Sequence, residues 1–215
     1  MRGLYAICDV DTLRAHGVEV LPFAEAVLAA RPCAMQLRAK TLSDSECLAL
    51  LHALGAPCRA ARVPLICNDR LDLARLAACD GVHLGQEDLG ARDAVSVGDA
   101  PGSLRVGIST HTLDQLERAL AMSPAYVAFG PVFSTRTKVD ASPTVGLEAL
   151  SLANDRARAA GTPLVAIGGI TLETAPAVGA RASALAVISD LLGSTPRDPA
   201  TVTARASAFR RAVAS

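Results

Sequence analysis

Thr135, Arg136, Thr137 and Lys138 stand in a row directly after Gly130-Pro131-Val132-Phe133-Ser134. A turn calls for Gly, Pro, Asn or Asp, not for two hydroxyls and two cations side by side. Such a row suits an oxyanion. Comparable chemistry recurs along the chain. Arg38-Ala39-Lys40, Asn68-Asp69-Arg70, Gly85-Gln86-Glu87-Asp88, Ser109-Thr110-His111, Gly168-Gly169-Ile170 and Ser189-Asp190 each follow a short apolar run. Arg38, Lys40, Asn68 and Lys138 are donors that suit a multiply charged phosphate, Arg as a planar fork and Lys as a point charge. Asp69 and Asp88 are carboxylates that could share Mg²⁺ with phosphate oxygens.

Each group also has a plain structural reading. Asn68-Asp69 could cap a helix over Leu71 to Ala78. Gly168-Gly169 could be a tight turn, Ser109 a turn residue, and Arg136 and Lys138 solvated loop charges. His111 and His83 read as structural or packing residues, and His16 and His52 carry no signal. No Ser-His or Cys-His pair can be read from the sequence.

What joins the groups is their place relative to the elements. Eight short apolar runs rich in β-formers recur: Leu4–Cys8, Ala34–Leu37, Pro64–Cys67, Gly81–Leu84, Arg105–Ile108, Ala125–Phe129, Leu164–Ile167 and Ala184–Ile188. Helical patterns fill the gaps. Ser43 to Glu46 reads as a capping box, with Cys47, Leu50, Leu51 and Leu54 on one face of the helix that follows. Thr112 to Gln115 reads as a second box, and Leu147 to Ala160 and Ala200 to Ala214 read as further helices. Strand and helix in alternation imply parallel pairing. Eight repeats predict an α/β fold, a (β/α)₈ TIM barrel over residues 1–215 as one domain. A doubly wound open sheet is the runner-up, although no GxGxxG follows the first run. In a (β/α)₈ barrel the active site lies at the C-terminal ends of the strands, where the polar groups fall. Gly168-Gly169 and Ile188-Ser189 would end strands seven and eight, where such barrels bind phosphate on backbone N–H groups. Two anion sites are therefore expected, one strongly cationic and metal-assisted, the other built from backbone.

Composition narrows the classes. Twenty-one basic and twenty-one acidic residues balance, so no basic stripe points to nucleic acid and no acidic block to a disordered tail. The hydrophobic fraction of 51% supports a real core, built from Leu, Val, Ile and Ala because Trp is absent. Cys8, Cys33, Cys47, Cys58, Cys67 and Cys79 form no CxxC pair and read as buried thiols of a cytoplasmic protein. No signal-like leader and no membrane-length apolar run is present. Small-molecule substrates are expected, with no nucleic acid and no membrane, and a homo-oligomer is allowed.

The motifs Gln36-Leu37-Arg38-Ala39-Lys40, Asn68 to Ala74, Asp80 to Leu89, Gly130 to Lys138, Ala166 to Ile170 and Val187-Ile188-Ser189 occur in order. Together they resemble the thiamine-phosphate synthase family. The resemblance implies a transferase of thiamine biosynthesis. It would join 4-amino-5-hydroxymethyl-2-methylpyrimidine diphosphate to 4-methyl-5-(2-phosphoethyl)thiazole and release pyrophosphate. It also implies that Gln36, Arg38, Lys40, Asn68 and Lys138 bind the pyrimidine diphosphate. Arg38, Lys40 and Lys138 would be the catalytic cations. Asp69 and Asp88 would hold Mg²⁺, and Ser109 would contact the pyrimidine. Thr135, Thr137, Gly169, Ile188 and Ser189 would surround the thiazole phosphate. The alternatives are a thiazole tautomerase-like isomerase and a non-catalytic phosphate-binding paralogue. The tautomerase-like group typically lacks the counterparts of Asp88 and Gly130-Pro131.

Ala39 departs from the family, which usually has an acidic residue there. Strand alternation should turn residue 39 away from Arg38 and Lys40. Ala39→Glu is therefore expected to leave turnover within about threefold, as changes away from the chemistry usually do. A steady-state assay of the condensation checks this, and a large gain would mean that residue 39 faces the site.

Overall fold

The computed structural model describes residues 1–85, 104–135 and 143–213. Eight parallel strands close into a barrel in sequence order. They are β1 (Gly3–Asp9), β2 (Ala34–Arg38), β3 (Leu65–Asn68), β4 (Gly81–Leu84), β5 (Arg105–Thr110), β6 (Tyr126–Phe129), β7 (Leu164–Ile167) and β8 (Ala184–Val187). The expected α/β class and barrel are thus what the chain adopts, and the open sheet is not. β1 closes the ring by pairing with both β2 and β8.

The helices described are α1 (Val10–Ala15), α2 (Val20–Ala29), α3 (Asp44–Ala61), α4 (Leu71–Leu76), α5 (Leu113–Leu120), α6 (Gly146–Ala159), α7 (Ala175–Gly179) and α8 (Pro199–Ala212). Local chemistry explains their starts. Ser43 and Glu46 form the full reciprocal box at α3. At α5 only half of the expected box forms. Thr112 accepts from the Gln115 N–H at 3.2 Å, but the Gln115 carbonyl oxygen takes the His111 N–H instead, at 2.6 Å. Asp198 caps α8 by accepting from the N–H groups of Ala200 and Thr201, both at 3.1 Å. The helix after β3 is shorter than expected, and it starts after Arg70 with no side-chain cap. Asn68 and Asp69 are therefore not spent on capping it.

Period-two alternation sorts each strand into two faces. Outward residues such as Leu4, Leu37, Cys67, Leu84, Ile108 and Leu185 join the large apolar layer under the helices. Inward residues form a smaller cluster of Tyr5, Ile7, Ala34, Ile66, Tyr126, Ala128, Val165, Ala184 and Ala186. Alanines at several of these positions make room for the two tyrosines. Gly107, paired with Tyr126 across the sheet, does so by necessity. A Cβ there would lie 2.0 Å from the Tyr126 ring.

The six cysteines are free, and all but Cys33 are buried. Burial pushes the Cys58 thiol up to about 11 and those of Cys67 and Cys79 up to about 12. They are inert as nucleophiles at neutral pH. Among the described residues no helix is long and apolar enough to cross a membrane.

Gly107→Ala should overpack the barrel floor and lower stability by about 1–3 kcal/mol or more. The urea unfolding midpoint measures this. An unchanged midpoint would show that the tyrosine layer yields freely.

Candidate active site

The strand ends of β1 to β3 form the charged half of the barrel mouth. Alternation turns Gln36, Arg38 and Asn68 inward with the interior residues. Gln36 Nε2 donates to Asn68 Oδ1 at 3.1 Å, which ties two of the expected substrate donors together. Arg38 pairs with Asp9, its register partner at the end of β1. The Asp9 side chain is only 2% exposed. Its other oxygen accepts the Thr12 N–H at 2.8 Å and so caps α1. A buried carboxylate held from both sides fixes the guanidinium in one place. The sequence reading did not single out Asp9. An acid ending the first strand in register with Arg38 was the available signal.

Lys40 lies past the end of β2, and its ammonium is 2.5 Å from Asp69 Oδ2. The expected phosphate ligand and the expected metal ligand thus pair with each other. Asp69 itself takes the left-handed conformation, φ +64°. Its N–H donates to the His83 carbonyl at 2.8 Å, which anchors the bend. β2 stops at Arg38, yet Ala39 still packs against the outer apolar layer.

β4, β5 and β6 contribute a polar thread through the barrel. His83 Nε2 lies 2.8 Å from Ser109 Oγ, and His83 Nδ1 lies 3.0 Å from the Tyr126 hydroxyl. That hydroxyl is 2.8 Å from the hydroxyl of Tyr5. His83 also stacks on the Tyr126 ring, with centroids 5.6 Å apart. The packing role expected of His83 is present, but it is joined by a bond to a candidate substrate residue. A Ser-His pair therefore exists, contrary to the sequence reading. It was missed because His83 and Ser109 come from different strands. Burial holds both phenols protonated, far above their ordinary range.

Among the described residues, β6 to β8 build the other half of the mouth largely from glycine and backbone groups. The Gly130–Pro131 bond is cis. The segment after it lies along the end of β7: the Val132 N–H donates to the Ile167 carbonyl at 2.9 Å and the Phe133 N–H to the Gly168 carbonyl at 3.0 Å. Gly168 and Gly169 have φ of +99° and +65°, and a Cβ on them would come within 2.4 Å of Pro131 and of the Ser134 carbonyl. Only glycines allow that approach. Thr135 ends the described part of this segment, half-buried. His111 Nδ1 donates to the Gly130 carbonyl at 2.6 Å, which gives this histidine a structural role.

Ile188 borders the interior cluster, and exposed Ser189 opens the 3₁₀ turn Ser189–Leu191. Asp190 fastens that turn. It accepts from the Leu172 N–H at 3.1 Å and from Arg205 of α8 at 2.6 Å. The loops after β7 and β8 are thereby held to each other, a second arrangement not singled out in the sequence. Asp88, Arg136, Thr137 and Lys138 lie outside the described residues. Among the described residues no three His, Cys, Asp or Glu side chains gather as a metal cluster. Asp69 supplies one hard carboxylate oxygen at the rim, which suits Mg²⁺ if phosphate oxygens and a second acid complete the shell.

Comparisons with known proteins agree with this geometry. A family model described as thiamine monophosphate synthase matches residues 4–191. A thiamine-phosphate synthase of Neisseria gonorrhoeae is 42% identical over 144 residues, covering 67% of this chain and 68% of the relative. One of Roseiflexus castenholzii is 39% identical over 203 residues, covering 93% and 86%. Among solved structures, a thiamine phosphate pyrophosphorylase from Pyrococcus furiosus superposes with a TM-score of 0.82. It has 28% identity and covers 99% of this chain and 95% of that one.

Asp9→Asn keeps the size of the side chain but removes the buried charge opposite Arg38. It is expected to lower stability by roughly 1–3 kcal/mol, as for a buried charge-assisted bond. Urea unfolding of the variant measures the change, and an unaltered midpoint would show that the pair contributes nothing.

Proposed function

The chain belongs to the thiamine monophosphate synthase family and forms thiamine monophosphate by condensation, and we propose that the two halves of its barrel mouth divide the two substrates between them. The pyrimidine diphosphate lies over β2 and β3, against Arg38, Lys40, Asn68 and Gln36, with Lys138 joining by family resemblance. The thiazole phosphate lies over β7 and β8, against the Gly169 backbone, Ile188 and Ser189, with Thr135 and Thr137. Ser109, between the halves, contacts the pyrimidine.

The observation that carries this reading is the asymmetry of the rim. Two cations, each paired with a carboxylate, stand on one side, and a glycine backbone with a fastened turn stands on the other. A leaving diphosphate gains charge as its C–O bond breaks, so it needs cations fixed in advance. A phosphate that serves only as a handle needs steady binding, which backbone donors supply.

The reaction balances without a protein nucleophile. The pyrimidine's amino group pushes electrons towards the exocyclic CH₂, whose C–O bond breaks, and pyrophosphate departs with the pair. The thiazole nitrogen then supplies its lone pair to form the C–N bond. Arg38, held by Asp9, offers its guanidinium to the departing group. Lys40 exchanges its carboxylate partner for a phosphate oxygen. Asp69, thus released, and Asp88 are the residues that would hold Mg²⁺. When bound, the metal neutralises charge on the diphosphate. The barrel holds the two substrates close enough to react. The free thiols suit the cytoplasmic setting we propose for the protein.

The direct test incubates purified protein with both substrates, with and without Mg²⁺, and follows thiamine monophosphate. A tautomerase-like isomerase or a phosphate-binding paralogue would form none. Asp69→Ala and Asp88→Ala should each lower turnover at least about tenfold, towards the 10²–10³ typical of one lost preorganised contact. Excess chelator should do the same to the wild type. Full activity in chelator would remove the metal from the mechanism.

A further inference from the structure

A serine bonded to a histidine ordinarily reads as a nucleophile beside its base. In a hydrolytic triad a carboxylate accepts the Nδ1 proton, which leaves Nε2 bare to take the proton of the serine. The pair inside this barrel is wired in the opposite sense. Ser109 Oγ is on Nε2 at 2.8 Å, but the group on Nδ1 is a phenol, Tyr126, at 3.0 Å.

The direction of the protons follows from the far end of the thread. The Tyr5 hydroxyl is buried, and among the described residues Tyr126 is its one hydrogen-bond partner, at 2.8 Å. Tyr5 belongs to the inward apolar cluster, with Ile7, Ala34, Ile66 and Ala184. A phenol has a single hydrogen and two lone pairs, and a buried donor left without an acceptor is tolerated less readily than a spare lone pair. Tyr5 therefore donates to Tyr126. The Tyr126 hydrogen must then go to His83 Nδ1, which acts as a lone pair. The imidazole is neutral and carries its proton on Nε2, so it donates to Ser109. The reverse order would end with the Tyr5 hydrogen aimed into the apolar floor.

We propose that Tyr5, Tyr126 and His83 are positioning residues that fix Ser109 as a hydrogen-bond donor to the pyrimidine substrate, so that it reads a ring-nitrogen lone pair. The proposal rests on the reading that Ser109 contacts the pyrimidine diphosphate. With one lone pair of Oγ occupied by the imidazole N–H, the serine hydrogen is turned away from His83. His83 is not a base for Ser109, in keeping with a condensation that needs no protein nucleophile. Discrimination follows from chemistry. A ring atom that carries hydrogen in place of a lone pair would face a donor, and buried polar sites reject such mismatches strongly.

Two measurements test this. The first is ¹⁵N–¹H NMR of the imidazole in the substrate-free wild type, with the His83 signals assigned by their loss in His83→Gln. Nδ1 is expected in the unprotonated range and Nε2 in the protonated range. A proton on Nδ1 would overturn the proposal. The second is binding of the pyrimidine diphosphate and of its two pyridine analogues, each with one ring nitrogen replaced by C–H. Wild type should bind one analogue about tenfold or more weakly than the parent, one hydrogen bond's worth of affinity. Ser109→Ala should bind that analogue and the parent within about threefold of each other. His83→Gln, which keeps an N–H donor, should retain more of the discrimination than His83→Leu. Equal binding of all three ligands by wild type, or discrimination that survives in Ser109→Ala, would overturn the proposal. If the parent itself fails to bind, the functional reading falls, and the imidazole spectrum still decides the tautomer.

Discussion

Closing eight short strands into a ring forces every second residue into the barrel, and the rest of the molecule follows from how that interior is filled. The floor takes two tyrosines because alanines surround them and Gly107 yields to the Tyr126 ring. Buried phenols need partners. Tyr5 finds one in Tyr126 and Tyr126 finds another in His83, so the hydrogen-bonding need of the floor is passed upward to Ser109. The same alternation that buries Leu37 and Cys67 under the helices turns Arg38 and Asn68 to the mouth. Packing and chemistry are thus two faces of the same strands.

Charge is handled by local pairing. The chain is neutral overall, and at the mouth Arg38 is matched by Asp9 and Lys40 by Asp69. The two pairs differ in kind. Asp9 is buried, and a buried carboxylate is tolerated only when paired and bonded, so its hold on Arg38 is permanent. The Lys40 side chain is 54% exposed in its pair with Asp69. An exposed pair contributes little and exchanges readily. A fixed guanidinium beside an exchangeable ammonium suits a site that must bind a diphosphate and then release it.

Much of this was legible in the sequence, because strands buried on both faces read as short apolar runs and their last residues announce the mouth. The eight runs match the observed strands to within a residue or two at each end. The Ser43 box was legible because its partner is three residues away. The box at Thr112 was half wrong for a local reason, since His111 competes for the Gln115 side chain. Asp9 and His83 were missed for a non-local one. Their partners, Arg38 and Ser109, lie on neighbouring strands, and one sequence does not display register. Ala39 was read correctly although the strand ends before it, because its side chain still meets the outer apolar layer. Asp190 was seen only as a strand-end residue. Its bond to Arg205 reaches into the last helix, fifteen residues on, and has no local signature.

The central claim is that the mouth holds two separate anion sites. Calorimetric titration of the thiazole phosphate into protein, with and without saturating pyrophosphate and Mg²⁺, tests it most directly. Separate sites predict that the thiazole phosphate binds with one-to-one stoichiometry in both conditions, with its affinity equal or higher when pyrophosphate is present. Loss of thiazole phosphate binding in proportion to added pyrophosphate would mean that both anions compete for one site, and would contradict the account.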